Sequence, residues 1–594
     1  MRTETQRRIF QTFTFPFFAL IAAGFLSANG VSVQAAENTA KRAPASLDPS
    51  DFERSRDVLK YMKDNAGTTK TGRPKKIKTI PESTMVEYFQ DHPEALKQDL
   101  AQLVSELSDR SGVIDTTKHV RLIPPAGHPG YEDLRVFVSH PYRIGDKHMP
   151  ADNLAQVWID FIRQAKKELV LNVFEFDFDA IADELIAAQA RKVAIRIGLD
   201  GNVLKKNSRD RALADRLKAA GVNVIEVDPA GLNHQKMVAI DWSDPGAARV
   251  LFSSGNLTHS CLDAAGDLYA VAKQIENNTF AKSRSIPNAN HVVTMKSWLA
   301  ANLVNHELTK TLSPDLRLRG SSYPTTGAYQ ITGPGVNPQT FEAYPVNSFI
   351  IAFTPGGGYR DVNRNLLAYL LKKTEGPVRM VQFAYSAKDV SQALLERAER
   401  DFQKTGKFDF LSVGDTPFAM QKWSQFLKMS GYAREGSAAK KNLKFFEDPE
   451  NPWMKSLTAD QMTALRKNVR VAPLNYGKTN INLGGTSYEV TAKVHHKLMS
   501  MGDFAVLGSS FNFSESAEKN NEQVLVFHDP KLAAIVQGIT AELAAASPRS
   551  VAEEAERRNA RSAGALSGTA AGAAKSDATD DSDDDADENA AVRN

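Results

Sequence analysis

Two stretches of the chain repeat the same alternation of short apolar runs and segments with helical periodicity. The predicted strands are the apolar runs 169–176, 193–199, 222–227, 378–385, 408–413 and 469–474. Helix-period segments at 180–189 and 390–400 follow the first strand of each stretch. Strands that alternate with helices are typical of parallel βαβ units, so the pattern predicts an α/β protein built from a duplicated unit.

The segments around these stretches have other patterns. Residues 312–348 are rich in Pro, Gly and Thr, which predicts a linker or long loop between a first half at 131–311 and a second half at 349–546. Residues 36–130 are charged and helix-prone, and they predict a helical N-terminal extension. Residues 547–594 end in an acidic run without apolar periodicity, which predicts a disordered tail.

Residues 1–35 predict a signal peptide. Arg2, Arg7 and Arg8 precede an uncharged stretch with an apolar centre at 16–26, and small residues before Ala36 fit a cleavage site. We therefore expect an exported protein, either secreted or periplasmic. An uncleaved membrane anchor is the alternative, although the apolar centre is shorter than the roughly 18 residues that a membrane span needs.

Composition places the 594-residue chain among ordinary globular proteins. Hydrophobic residues make up 42% and charged residues 24%, which excludes a wholly disordered chain, a collagen and a polytopic membrane protein. Cys261 is the single cysteine, so no disulfide can form within one chain. Because 575–594 hold two basic and eight acidic residues, the rest of the chain has a net charge of +9. That excess suits an anionic ligand but is small for a dedicated nucleic-acid binder.

A histidine and a lysine lie two residues apart near the end of each predicted half, as His234 with Lys236 and as His495 with Lys497. On a strand, positions i and i+2 point to the same face. Each pair would therefore present an imidazole and an ammonium together, which is a poor arrangement for a core and a good one for an anion site. His496 would point to the opposite face.

Each pair is followed by an apolar strand, a turn of small polar residues and then a carboxylate. The turns could offer hydrogen-bond donors to a phosphate through Ser254, Gly255, Asn256, Ser509, Ser510 and Asn512. The carboxylates, Asp267 and Glu522, lie eleven and ten residues after the asparagines. One such pair is expected by chance, whereas two pairs with the same sequel indicate a single duplicated site.

The paired motifs resemble those of the phospholipase D superfamily, His-x-Lys-x4-Asp, and the resemblance covers about residues 131–546. The first motif is complete, with His234, Lys236 and Asp241. In the second, Gly502 occupies the expected aspartate position and Asp503 lies one residue further on. Since an aspartate at a strand end can simply cap a turn, that role is the alternative for both aspartates.

The resemblance implies two similar α/β halves, with mixed, mostly parallel sheets flanked by helices, packed face to face around one site. One histidine would attack phosphorus and form a phosphohistidine, and the other would protonate the leaving alcohol. We expect His234 to be the nucleophile because its motif is intact, and His495 is the alternative.

The resemblance also implies roles for the other motif residues. Charge on the phosphate oxygens would be stabilised by Lys236, Lys497, Asn256 and Asn512. Asp267 and Glu522 would each orient the histidine of the other half. The substrate position would be lined by Ser254, Gly255, Ser509 and Ser510. No cofactor and no metal are expected.

The resulting hypothesis is a secreted phospholipase D-type phosphodiesterase that hydrolyses the distal phosphodiester of glycerophospholipids to phosphatidic acid and an alcohol. Its expected partner is a phospholipid at a membrane surface, with nucleic acid less favoured, and two halves in one chain predict a monomer. The alternatives are a nuclease, a phosphatidyl transferase resembling cardiolipin synthase, and a non-catalytic lipid- or nucleic-acid-binding protein.

Overall fold

The structure, a computed structural model, describes only part of the chain. The described residues are 112–115, 120–124, 128–139, 152–229, 231–262, 288–312, 328–336, 344–354, 362–421, 423–429, 452–474, 478–483, 486–491, 493–547, 549–550 and 553–554. The predicted signal peptide, most of the predicted N-terminal extension and nearly all of the predicted acidic tail lie outside these residues.

Strands and helices alternate through both halves of the described chain. The strands are β1 Gly112–Asp115, β2 Val120–Ile123, β3 Glu132–Val138, β4 Glu168–Val173, β5 Ala194–Asp200, β6 Asn223–Val227, β7 Lys236–Ile240, β8 Arg249–Ser253, β9 His291–Lys296, β10 Ala328–Thr332, β11 Ser348–Thr354, β12 Val378–Gln382, β13 Phe410–Asp415, β14 Val469–Leu474, β15 Lys478–Leu483, β16 Thr486–Thr491, β17 Lys497–Met501, β18 Phe504–Val506 and β19 Glu522–His528. The helices are α1 Leu154–Arg163, α2 Asp179–Ala190, α3 Gly201–Lys206, α4 Ser208–Ala219, α5 His259–Leu262, α6 Trp298–Thr311, α7 Val362–Lys373, α8 Lys388–Thr405, α9 Thr416–Ala419, α10 Gln425–Met429, α11 Pro452–Ser456, α12 Ala459–Lys467 and α13 Pro530–Ala546.

The two halves share one sheet topology. The first sheet has the order β3-β9-β8-β7-β4-β5-β6, and the second contains the order β11-β19-β18-β17-β12-β13-β14. Every pairing in the first series has a counterpart of the same direction in the second. The prediction of a duplicated α/β unit is therefore confirmed.

A shared hydrophobic core joins the halves face to face. It contains Phe252 and Met295 of the first sheet, Phe353 and Phe527 of the second, and apolar side chains of α6 and α13. Separate clusters cover the outer faces, with α1, α2 and α4 on the first sheet and α7 and α8 on the second. Because the central strands are covered on both sides, they read as continuous apolar runs in the sequence.

The structure differs from the sequence expectation in three details. Only β4-β5-β6 and β12-β13-β14 run parallel, and the other pairings in each seven-strand series are antiparallel, because β7 and β8, like β17 and β18, pair without a helical crossover. The described residues of the predicted helical extension include the strands β1 and β2. The predicted linker contains β10, which pairs with β2 and β11 and extends the second sheet.

Candidate active site

The two histidine motifs meet where β7 and β17 begin. Two aspartates, each the last residue of a parallel strand, fix the backbone entering each motif. The amide of Asn233 donates to Asp200 Oδ2, and the amide of Val494 donates to Asp415 Oδ2, both at 2.9 Å. Because each bond holds the residue directly before a histidine, the two imidazoles enter the interface in equivalent positions.

His234 is held by a carboxylate of the opposite half. Its Nδ1 lies 2.8 Å and 2.9 Å from the two oxygens of Glu522, and both side chains are buried. Ser510 Oγ and Asn520 Nδ2 donate to the same carboxylate at 2.6 Å and 3.1 Å. These bonds engage Nδ1, and Nε2 lies on the other side of the imidazole ring.

His495 is held by an amide of the opposite half. Its Nδ1 lies 2.9 Å from Asn290 Oδ1. Lys497 Nζ lies 3.0 Å from Nε2 and 3.3 Å from Nδ1 of the same ring, and it donates to the His495 carbonyl at 3.2 Å. The structure thus gives the two histidines different partners, a carboxylate for His234 and an amide for His495.

Both motif lysines are fully buried beside their histidines. Lys236 Nζ donates to the His234 carbonyl at 2.6 Å and lies 5.6 Å from the centre of the Phe174 ring. Lys497 Nζ lies 5.3 Å from the centre of the Phe383 ring. Two ammonium groups in a poorly solvated interface make a strongly positive site, which favours an anionic ligand.

Burial and this positive charge lower the pKa of both histidines. Burial is the main reason that the pKa of His234 is lowered to about 4, and the lysines add to it while Glu522 opposes it. Burial, followed by the charge of Lys497 and then Lys236, lowers the pKa of His495 well below its usual range. Bound phosphate would offset both effects, because a nearby negative charge stabilises an imidazolium.

Part of the chain matches one protein-family model. Residues 158–284 match the family model described as cardiolipin synthase, PLD-like domain. This chain contains a phospholipase D-like domain. The matched residues include His234 and Lys236 and end before the second motif, and no curated protein matches the chain.

Solved structures similar to this chain have low sequence identity to it. A phosphatidylserine synthase from Haemophilus influenzae Rd KW20 is 11% identical, with 69% of this chain and 92% of that chain covered and a TM-score of 0.40. A polyphosphate kinase from Porphyromonas gingivalis is 12% identical, with 69% of this chain and 50% of that chain covered and a TM-score of 0.38. Nuc, a phospholipase D family member from Salmonella typhimurium, is 15% identical, with 30% of this chain and 94% of that chain covered and a TM-score of 0.22. This chain spans half the length of the polyphosphate kinase.

The turn residues of the phospholipase D-like site are buried, and several support other side chains. Ser254 Oγ donates to Asn290 Oδ1, and Ser509 Oγ accepts from the Leu525 amide. A Cβ at Gly255 would lie 2.8 Å from the Asn290 side chain, so glycine leaves the room that this amide needs. The serines and this glycine therefore position the strands and the orienting groups around the histidines.

The two asparagines of the turns have different surroundings. Asn256 Nδ2 donates to Glu175 Oε2 at 2.5 Å, and Asn256 is 6% exposed. Asn512 is 5% exposed, and Ala384 stands at the position of the second half that corresponds to Glu175. The position that holds a carboxylate beside the first asparagine thus holds an alanine in the second half.

The structure corrects the expectation for the first motif aspartate. Asp241 lies at the far end of β7 from His234, where its carboxylate accepts from the amides of Lys166, Lys167 and Glu168. Its φ of +51° is left-handed. Asp241 therefore caps a turn and does not reach the histidines.

Asp503 is also remote from the histidines. It forms the two-residue turn between β17 and β18 with Gly502, because Met501 pairs with Phe504. Asp267 lies outside the described residues, and its role stays a prediction. His496 packs against His291, with 3.2 Å between their Nδ1 atoms, on the side away from Lys497.

Sequence reasoning missed Asn290, Asp200 and Asp415. Asn290 directly precedes the apolar strand β9, and Glu522 is the first residue of the apolar strand β19, so a polar residue at the start of each strand is present in the sequence. The expected carboxylate of the first half was Asp267 instead. Asp200 and Asp415 are the last residues of β5 and β13 and directly precede helices, a position that marks ligand-side residues in parallel α/β sheets.

The described residues were also compared with the requirements of a membrane span and of a metal site. Within the part of the chain that the structure describes, no helix combines the length and the apolar character that crossing a bilayer requires. In the same residues, no group of three or more His, Cys, Asp or Glu side chains is arranged to hold a metal ion.

Proposed function

We propose that this protein is a phospholipase D-type phosphodiesterase that hydrolyses the distal phosphodiester of glycerophospholipids to phosphatidic acid and an alcohol. The observation that supports this most is the pairing of two buried histidines, each held at Nδ1 by a side chain of the opposite half, next to two buried lysines. That arrangement supplies a nucleophile, an acid and stabilising positive charge at one anion site.

In the proposed first step, His234 Nε2 attacks phosphorus while His495 donates its proton to the leaving alcohol. The phosphorus–oxygen bond breaks as the phosphorus–nitrogen bond forms, and the phosphohistidine ring carries a positive charge. Glu522 would stabilise that charge more strongly than it stabilises the neutral ring, which is the differential binding that accelerates a reaction. For this reason we keep His234 as the nucleophile.

In the proposed second step, His495 takes a proton from water, and the water oxygen attacks the phosphohistidine. His234 leaves as the neutral imidazole, so both histidines return to their starting states. Lys236, Lys497, Asn256 and Asn512 would stabilise the charge on the phosphate oxygens in both steps.

Phosphatidyl transfer is the second candidate, because the matching family model is named for cardiolipin synthase. The same phosphohistidine could be attacked by an alcohol instead of water. The two activities differ only in the acceptor, so a single assay can separate them.

The test is incubation of the purified full chain with mixed vesicles of phosphatidylcholine, phosphatidylethanolamine and phosphatidylglycerol, with and without ethanol, and separately with DNA. Phosphatidic acid is the expected product, whereas phosphatidylethanol or cardiolipin would favour transfer. DNA fragments without lipid products would reject the lipid substrate. The His234→Ala variant is the matched control in every arm.

A further inference from the structure

Asn290 occupies the position in the first half that Glu522 occupies in the second. Ser254 N donates to the His291 carbonyl, and Ser510 N donates to the Gln523 carbonyl. In return, the amides of His291 and Gln523 donate to the Oγ atoms of these serines at 3.0 Å. Asn290 directly precedes His291, and Glu522 directly precedes Gln523, so Asn290 and Glu522 occupy equivalent positions.

The orientation of the Asn290 amide follows from its other partners. Its Nδ2 faces two backbone carbonyls, those of Cys261 at 3.3 Å and Asn288 at 3.4 Å, which can only accept. Ser254 Oγ donates to Oδ1 at 3.0 Å. Oδ1 therefore faces His495 as an acceptor, and the proton of the neutral imidazole lies on Nδ1.

Among the described residues, the charged and titratable groups that act most strongly on His495 oppose its protonation. They are Lys497 on its own strand, Lys236 and His234 from the first half, and Lys493 in the preceding segment. The group at Nδ1, Asn290, is neutral. His234 differs because the Glu522 carboxylate faces its Nδ1.

We propose that Asn290 is a positioning residue that fixes the Nδ1–H tautomer of His495 and, by being an amide in the place of a carboxylate, makes the two histidines unequal. The inference about catalysis rests on the proposed function above. In that reaction, His495, whose Nδ1 faces an amide, is the more readily deprotonated imidazolium and hence the stronger acid. His234 with its carboxylate is the better place for the positive charge of the phosphohistidine.

The first test needs no substrate, so it is independent of whether the proposed function is right. In the ¹⁵N-histidine-labelled full chain at pH 7, His495 should show the Nδ1–H tautomer, with its signals assigned from the His495→Gln variant. Asn290→Asp should raise the titration midpoint of His495 by about one to three pH units, because an opposite charge favours the imidazolium. A wild-type Nε2–H tautomer, or an unchanged midpoint in Asn290→Asp, would overturn the proposal.

A second variant protects this test from a folding failure, because an aspartate would face the carbonyls of Cys261 and Asn288. Asn290→Ala removes the acceptor without adding charge and should give a mixture of the two His495 tautomers. Thermal denaturation checks that the fold is kept. An unmixed Nδ1–H tautomer in a folded Asn290→Ala protein would contradict the positioning role.

The pH profile of kcat/KM tests the catalytic part. If His495 is the acid, Asn290→Asp should move the alkaline limb to higher pH, since the acid must be protonated in the free enzyme. A shift of the acidic limb instead would mean that His495 must start neutral, and the assigned roles would be reversed. The double variant Asn290→Asp/Glu522→Gln should reverse the order of the two histidine midpoints.

Discussion

The two halves of this protein have the same strand order and different chemistry at equivalent positions. Each half supplies a buried histidine and lysine at the start of a corresponding strand, β7 or β17. The group that holds the histidine differs, because the second half provides Glu522 and the first provides Asn290. A duplicated fold therefore supplies two histidine–lysine pairs, and the side chains around the two histidines differ.

The residues that follow β7 and β17 differ in type but share one backbone conformation. Asp241 and Gly502 follow β7 and β17, and their φ angles are +51° and +61°. The amide of Asp241 donates to the Glu168 carbonyl at the start of β4, and the amide of Gly502 donates to the Pro377 carbonyl directly before β12. The shared requirement is a left-handed residue, which aspartate tolerates and glycine adopts at no steric cost. The motif aspartate is thus replaceable without any change at the histidines.

A third difference lies behind the reactive histidines. His291 and His496 form a buried pair in which the Gly508 amide donates to His291 Nε2 at 2.9 Å. The equivalent positions hold Gln523 and Gln235, which bond to backbone carbonyls. A histidine pair and a glutamine pair thus fill equivalent places at the interface.

The largest effect should come from removing either reactive histidine. His234→Ala and His495→Ala should each lower kcat/KM by several orders of magnitude, and the double variant should be little worse, since one reaction cycle needs both. His496→Gln, which copies the other half, is the control and should be much milder. Steady-state assays decide this. Loss of activity in His496→Gln with activity kept in His495→Ala would show that the wrong histidine has been assigned.

The next effect concerns the Glu522 carboxylate that faces Nδ1 of His234. Glu522→Gln keeps the shape but removes the charge that holds the imidazole and stabilises its cationic form. The rate should fall by up to about four orders of magnitude, as for carboxylate–histidine pairs elsewhere. Asp503→Asn is the matched control and should leave turnover unchanged. An equal loss in both variants, with thermal denaturation unchanged, would place the orienting carboxylate at Asp503.

Acid should destabilise the interface. Burial lowers the pKa of His291 to about 3 in the folded chain, whereas an unfolded histidine titrates near 6.5. Keeping His291 neutral therefore costs no free energy of unfolding above about pH 6.5. As the pH falls from 6.5 toward 3, the free energy of unfolding decreases by about 1.4 kcal/mol per pH unit. His291→Gln, which copies Gln523, should therefore flatten the fall of Tm between pH 6.5 and pH 4. An unchanged slope would contradict this prediction.

The smallest effects should distinguish the two residues of the β17–β18 turn. A Cβ at Gly502 would lie 2.0 Å from the Glu375 carbonyl oxygen, and the left-handed φ adds strain. Gly502→Ala should thus cost about 2 kcal/mol or more of unfolding free energy. Asp503→Asn should cost about 1 kcal/mol or less. Chemical denaturation measures both, and equal costs would mean that the close approach at Gly502 relaxes freely.

The sequence was sufficient to predict the duplication and most of the strands that carry the motifs. The apolar run 169–176 corresponds to β4, because a strand covered on both faces is apolar throughout. The strand β10 was harder to predict, since it lies in the predicted linker and pairs in part with β2, which is far away in the chain. Local pattern carries no information about such partners.

Periodicity and two-residue spacing are local properties, so the two α/β halves and the pairs His234–Lys236 and His495–Lys497 can be predicted from the sequence. The groups that surround each histidine depend on the tertiary fold. Glu522 lies 288 residues from His234, and Asn290 lies 205 residues from His495. Their contacts exist because two sheets pack face to face, and burial in that interface is what lowers the pKa of both imidazoles.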